Sequence, residues 1–184
     1  MFDPAPFDPA GPVLGIDPGL SRCGYGIVAR EPRGQRALGF GVIRTPPDDA
    51  LPERLLALDD ELRLLIAQTR PSAVAVERVL FQSNARTAIS VGQASGLALV
   101  AAARLGVPVV LYSPNEVKLA VTGNGRADKA AVQMMVARLL NLSEIPKSAD
   151  AADALALACC HLSRAPLAAQ ILQDRVVGAR VGKS

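Results

Sequence analysis

Cysteine is scarce. Three residues in a chain of 184 cannot form a paired disulfide framework. Cys23 stands alone, and Cys159 and Cys160 are neighbours in a helical pattern without C-x-x-C spacing. They read as small buried hydrophobes of a reducing compartment. Long apolar runs are missing as well: no stretch reaches the roughly 18 uncharged residues of a membrane span. The N-terminal Phe2-Asp-Pro-Ala-Pro-Phe-Asp-Pro is acidic and proline-rich, unlike a signal peptide. These absences predict a cytoplasmic protein with no membrane contact. There is no internal repeat and no linker between domains. Lysine is also rare, at 4 of 20 basic residues; arginine, with its planar fork suited to phosphate, supplies the rest.

What is present is a globular composition. Half the residues are hydrophobic, and the length suffices for one domain with a sizeable core. The formal charge is +3 with a sequence pI of about 9.0. It is unevenly placed: residues 1–91 carry 10 basic against 11 acidic side chains, and residues 92–184 carry 10 against 6. A basic surface of this kind suits a polyanion such as nucleic acid, though charge alone is better met by a mildly basic soluble protein.

Pro4, Pro6 and Pro9 obstruct regular structure, so residues 1–11 are expected to be a flexible tail, as are 165–184. Between them lies one domain, 12–164. Strands are predicted at 13–17, 24–30 and 36–44, a meander with Gly34-Gln35 in its second turn. A helix follows over 51–69, with Leu51, Leu55, Leu58, Leu62 and Leu65 at helical spacing, Pro52 in its first turn and Pro71 beyond its end. Residues 73–77 and 107–112 read as buried parallel strands. Further helices are predicted at 85–105, 114–121, 128–140 (Val132, Met135, Val136 and Leu139 inward) and 148–164. In the helix of 85–105, Gly92 and Gly96 cost roughly 2 kcal/mol relative to alanine, so at least one is expected to pack against the sheet. The order β-β-β-α-β-α-β-α predicts an α/β fold: a mixed sheet of an antiparallel three-strand meander plus two parallel strands, with helices on both faces.

Four carboxylates stand out on this framework. Asp17 closes the apolar run Val13-Leu-Gly-Ile, and Glu77 closes Ala73-Val-Ala-Val. Both would project from the C-terminal ends of neighbouring parallel strands, where α/β ligand sites lie. Asp150 and Asp153, at i and i+3, share one helix face, with Ala151, Ala152 and Ala154 permitting close docking. Taken alone, that pair is equally well read as helix N-terminal charge. Acids at strand ends are costly unless compensated, and none has an obvious basic partner beside it in sequence. Hard oxygen ligands select Mg²⁺ or Mn²⁺. The one histidine, His161, follows Asp153 by two helical turns, and a packing role suits it better than a metal or acid–base role.

The segments Gly15-Ile-Asp-Pro-Gly-Leu-Ser-Arg-Cys-Gly-Tyr-Gly, Val76-Glu-Arg-Val, Val91-Gly-Gln-Ala-Ser-Gly and Ala149-Asp-Ala-Ala-Asp-Ala-Leu-Ala resemble, in order and spacing, the RuvC family of bacterial Holliday-junction resolvases. The likeness spans about residues 12–164. It implies a ribonuclease-H-like fold and a homodimer that cuts four-way DNA junctions symmetrically. It further implies two Mg²⁺ ions per active site, with Mn²⁺ able to substitute, and 5′-phosphate and 3′-hydroxyl products. On this resemblance the catalytic metal ligands are Asp17, Glu77, Asp150 and Asp153, with Lys118 and Lys129 as basic residues near the cut. The DNA contacts it implies are Leu80, Phe81, Arg86, Lys118, Arg126 and Lys129. Leu80 stands where the family has an aromatic residue at the crossover, with Phe81 next to it, so either or both could be the wedge, or Phe81 could be core. The resemblance also implies a branch-migration motor as partner and a subunit interface at the helix of 85–105. Two other readings are open from the sequence: an actin-like nucleotide-binding module, suggested by Gly15-Ile-Asp-Pro-Gly, and a catalytically idle junction-binding protein.

Overall fold

The computed structural model describes residues 11–78 and 85–164, without the side chains of 85–87. The two expected tails and the segment carrying Leu80 and Phe81 lie outside these described residues. Among them, a five-stranded sheet has the order β3-β2-β1-β4-β5. Its strands are β1 (Val13–Asp17), β2 (Arg22–Glu31), β3 (Gly34–Arg44), β4 (Ala73–Glu77) and β5 (Val109–Tyr112). β1, β2 and β3 form the antiparallel meander; β4 runs parallel to β1 and β5 parallel to β4. This is the mixed sheet that the sequence predicts.

The helices are α1 (Leu51–Thr69), α2 (Ala85–Arg104), α3 (Pro114–Thr122), α4 (Lys129–Leu139) and α5, helical over 149–164. They cover both faces. Leu14, Ile16, Val74 and Val76 point to one side, against Leu58, Leu62 and Ile66 of α1 and Ala94, Ala98, Ala101 and Ala102 of α2. Val13, Val28 and Ala75 point to the other, against α3, α4 and the alanine-rich α5. Period-two alternation along β1 and β4 thus feeds two separate cores.

The approach of α5 depends on glycine in the strands beneath it. A Cβ on Gly15 would lie 1.9 Å from the Ala154 carbonyl oxygen, one on Gly24 would lie 2.1 Å from the Asp150 carbonyl, and one on Gly26 would lie 2.7 Å from the Leu155 nitrogen. Gly15 and Gly26 are register partners on β1 and β2, and Gly24 sits opposite Asp17. The three make a groove into which the helix backbone seats.

Several local expectations are corrected. Gly34 and Gln35 belong to β3, and the hairpin turn is Pro32-Arg33. Leu51, at the first position of α1, is 44% exposed, and the buried stripe of that helix is Leu58, Leu62 and Ile66. In α4 the inward stripe runs Val132, Val136, Leu140, at i, i+4 and i+8, which leaves Leu139 42% exposed. A Cβ on Gly92 or Gly96 would meet nothing within 4 Å, so neither glycine packs on the sheet. No helix among the described residues is long and apolar enough to cross a membrane.

Candidate active site

Asp17 and Glu77 end adjacent parallel strands, one residue beyond the pair Ile16 and Val76. The seating of α5 on its glycine groove brings Asp153 beside them. Asp17, Glu77 and Asp153 line a cleft of about 420 Å³, together with Lys118 from α3 and Lys129 from α4. Pro114, Val117, Val132, Ala156 and Leu157 form its apolar walls.

Local chemistry fixes the two lysine-bearing helices. Ser113 caps α3 in a reciprocal box: its hydroxyl accepts from the Glu116 N–H, while the Glu116 carboxylate accepts from the Ser113 N–H at 2.9 Å. Arg164 of α5 donates to Glu116 at 2.7 Å, tying the start of α3 to the end of α5. Asp128 caps α4 by accepting from the Ala131 N–H at 2.8 Å, placing Lys129 at the first helical position.

The electrostatics are those of crowded acids. Burial, then the carboxylates of Glu77, Asp153 and Asp150, raise the Asp17 pKa from 3.8 to about 7, against the opposing pull of Lys129. Burial and Asp153 raise Glu77, again opposed by Lys129. Lys129 ion-pairs with Asp153 at 2.9 Å, and this bond raises its own pKa. A divalent cation would relieve the same repulsion, and the oxygen-only donor set suits a hard ion, so Asp17, Glu77, Asp150 and Asp153 fit one by chemistry and charge. Among the described residues, however, no three such side chains already converge as a formed metal cage.

Asp150 departs from expectation. It is absent from the cleft lining and is not without a basic partner: Arg22, at the start of β2, donates to its Oδ2 from Nε at 2.8 Å and from Nη2 at 2.5 Å. Ser148 adds a third bond to the same oxygen, at 3.2 Å. Neither Arg22 nor Ser148 was legible as a site residue, because 128 positions separate Arg22 from its partner and no local pattern pairs them.

Arg126 is exposed outside the acidic cleft, lining a separate shallow groove with Asn115, Leu119 and Asn124, where its N–H donates to the Asn124 side chain at 3.0 Å. Arg86 falls in the first turn of α2, with its side chain outside the described atoms. His161 has the packing role: its Nδ1 lies 3.0 Å from the Tyr112 hydroxyl, and the rings meet edge to face. Cys23, Cys159 and Cys160 are buried thiols, as expected.

Comparison with known proteins gives a consistent result. The family model described as crossover junction endodeoxyribonuclease RuvC matches residues 13–161. A crossover junction endodeoxyribonuclease RuvC of Salinispora arenicola is 56% identical over 173 residues, covering 91% of this chain and 99% of the relative. One from Streptomyces avermitilis is 51% identical over 175 residues, covering 94% and 98%. The structure of T. thermophilus RuvC in complex with Holliday junction substrate superimposes with a TM-score of 0.82 at 39% identity, covering 86% of this chain and 96% of that one.

Proposed function

The chain belongs to the RuvC family of crossover junction endodeoxyribonucleases, enzymes acting on DNA, and from that premise we propose a divalent-metal-dependent resolvase of four-way junctions. The observation that carries this reading is the cleft itself: three carboxylates from β1, β4 and α5 face two lysines at the C-terminal end of parallel strands.

Asp17, Glu77, Asp153 and Asp150 would hold two Mg²⁺ ions, which would supply an activated water and charge stabilisation for the leaving 3′ oxygen, with 5′-phosphate and 3′-hydroxyl ends as products. The apolar walls of Val117, Val132 and Leu157 keep the carboxylates in a low-dielectric setting, which strengthens their hold on a cation. Lys118 lines the same cleft and would position the scissile phosphate. Lys129 ion-pairs with Asp153 in the free protein and would be at hand for the phosphate. Arg126, Arg86 and the segment with Leu80 and Phe81 contact the junction arms and crossover.

A four-way junction has two-fold symmetry, and a dimer presents two cuts to match it. We assign the interface to the outer face of α2, where Ile89 (64% exposed) and Val100 (47% exposed) flank the open Gly92 and Gly96. Two glycines in a helix need a packing reason; with the sheet excluded, a second copy of this chain supplies it. The enzyme acts in the cytoplasm, alongside a branch-migration motor.

Asp17→Asn, Glu77→Gln, Asp150→Asn and Asp153→Asn should each abolish Mg²⁺-dependent nicking of a synthetic four-way junction while leaving junction binding in place, read by gel shift in Ca²⁺. Normal cleavage by any one variant removes that residue from the mechanism.

A further inference from the structure

Resting on the reading of Asp150 as a metal ligand, we infer that Arg22 is a latch: its guanidinium holds the Asp150 carboxylate out of the cleft, and a divalent cation must displace it to complete the site. Three observations converge on this. Asp17, Glu77 and Asp153 line the cleft and Asp150 does not. The contacts of the Asp150 carboxylate fall on one oxygen, Oδ2, with two from Arg22 and one from Ser148. Arg22 Nη2 also donates to the Ser148 hydroxyl at 3.2 Å, closing a small network outside the cleft.

The backbone of Asp150 is not free to move, because it seats on Gly24 directly beside Asp17. Only the side chain can switch. Its two positions differ by a rotation about its own bonds, from Arg22 at the start of β2 toward Asp17 at the end of β1. The Arg22 side chain is 45% exposed and that of Asp150 26% exposed, so breaking the pair strands no buried charge. An ion pair this exposed is weak enough for a metal ion to outcompete. The arrangement gives each acid of α5 a cation in the free protein, Arg22 for Asp150 and Lys129 for Asp153.

The test is Mn²⁺ binding to the full chain, followed by electron paramagnetic resonance and calorimetry without DNA. Arg22→Gln should tighten binding about two- to fivefold, the factor corresponding to a lost exposed ion pair. Asp150→Asn should weaken it. In the double variant the gain from Arg22→Gln should vanish, since the latch acts only through Asp150. Arg22→Lys, which keeps the charge and loses the fork, should give a smaller gain in the same direction and serves if the glutamine variant does not fold. Weaker or unchanged Mn²⁺ binding in Arg22→Gln, with Asp150→Asn impaired, overturns the latch and leaves Asp150 a ligand. A gain that persists in the double variant also overturns it, as a general field effect. Unchanged binding in Asp150→Asn overturns the latch together with the assignment of Asp150 to the metal.

Discussion

Replacing Asp17 by Asn should stabilise the metal-free protein at alkaline pH while abolishing cleavage. Asp17 sits at the end of β1 with its pKa raised from 3.8 to about 7, chiefly by burial and then by the carboxylates of Glu77, Asp153 and Asp150. A folded-state pKa above the unfolded one means that folding favours the protonated acid. The associated stability is complete below about pH 3.8 and is lost as pH rises through about 7. The displacement corresponds to on the order of 4 kcal/mol against the ionised form at about pH 8.5. Solvent reaching the cleft screens part of this, so the neutral amide should recover about 1–3 kcal/mol. For a chain of this size that is roughly 2–10 °C in melting temperature. Melting curves in chelator at about pH 8.5 and about pH 4.5 provide the assay. The variant should melt higher at the alkaline value, and most of the difference should disappear at the acidic one, where native Asp17 is already protonated. Saturating Mn²⁺ should reverse the order, because the wild-type carboxylate then holds a cation. No gain at about pH 8.5, or an equal gain at both values, would refute the picture of Asp17 as a strained buried acid.

Gly15→Ala should lower stability by at least about 3 kcal/mol or prevent folding, since its Cβ would lie 1.9 Å from a backbone oxygen of α5 and neither backbone can yield; an unchanged urea midpoint would show that α5 is not seated on that strand. Gly92→Leu and Gly96→Leu should leave the monomer folded with an equal or slightly higher melting temperature, because a Cβ at either position meets nothing within 4 Å and leucine is the better helix former. The same substitutions should weaken self-association at least tenfold by sedimentation. Two variants that dimerise normally would remove this face of α2 from the interface.

Strand pairing and strand direction were legible because β1 and β4 are uniform apolar runs that end in an acid, while β2 and β3 follow β1 through short turns. That Asp17 and Glu77 lie side by side was legible for the same reason: each ends a buried strand of a parallel pair. Side-chain direction in helices was less so. Leu139 and Leu140 are adjacent leucines, and only the crossing of α4 over the sheet decides that the second points inward. Gly92 and Gly96 differ from expectation because the sequence does not say which way a helix face turns, and a Cβ at either position meets nothing within 4 Å. The strand glycines 15, 24 and 26 are the counterpart: their requirement is satisfied within the chain, by a helix more than 120 positions away. Arg22 escaped notice for lack of any local sign that its fork meets Asp150.

The glycine groove also orders events in time. Gly15, Gly24 and Gly26 are among the first residues of the sheet to be synthesised, and the helix that fills them is made more than 120 residues later. A chain still on the ribosome therefore carries Asp17 at the edge of an unfilled glycine groove, with Asp150 and Asp153 still to come. Contacts of such long sequence separation form late. The cleft that Asp17 and Glu77 share with Asp153 is therefore incomplete until α5 docks.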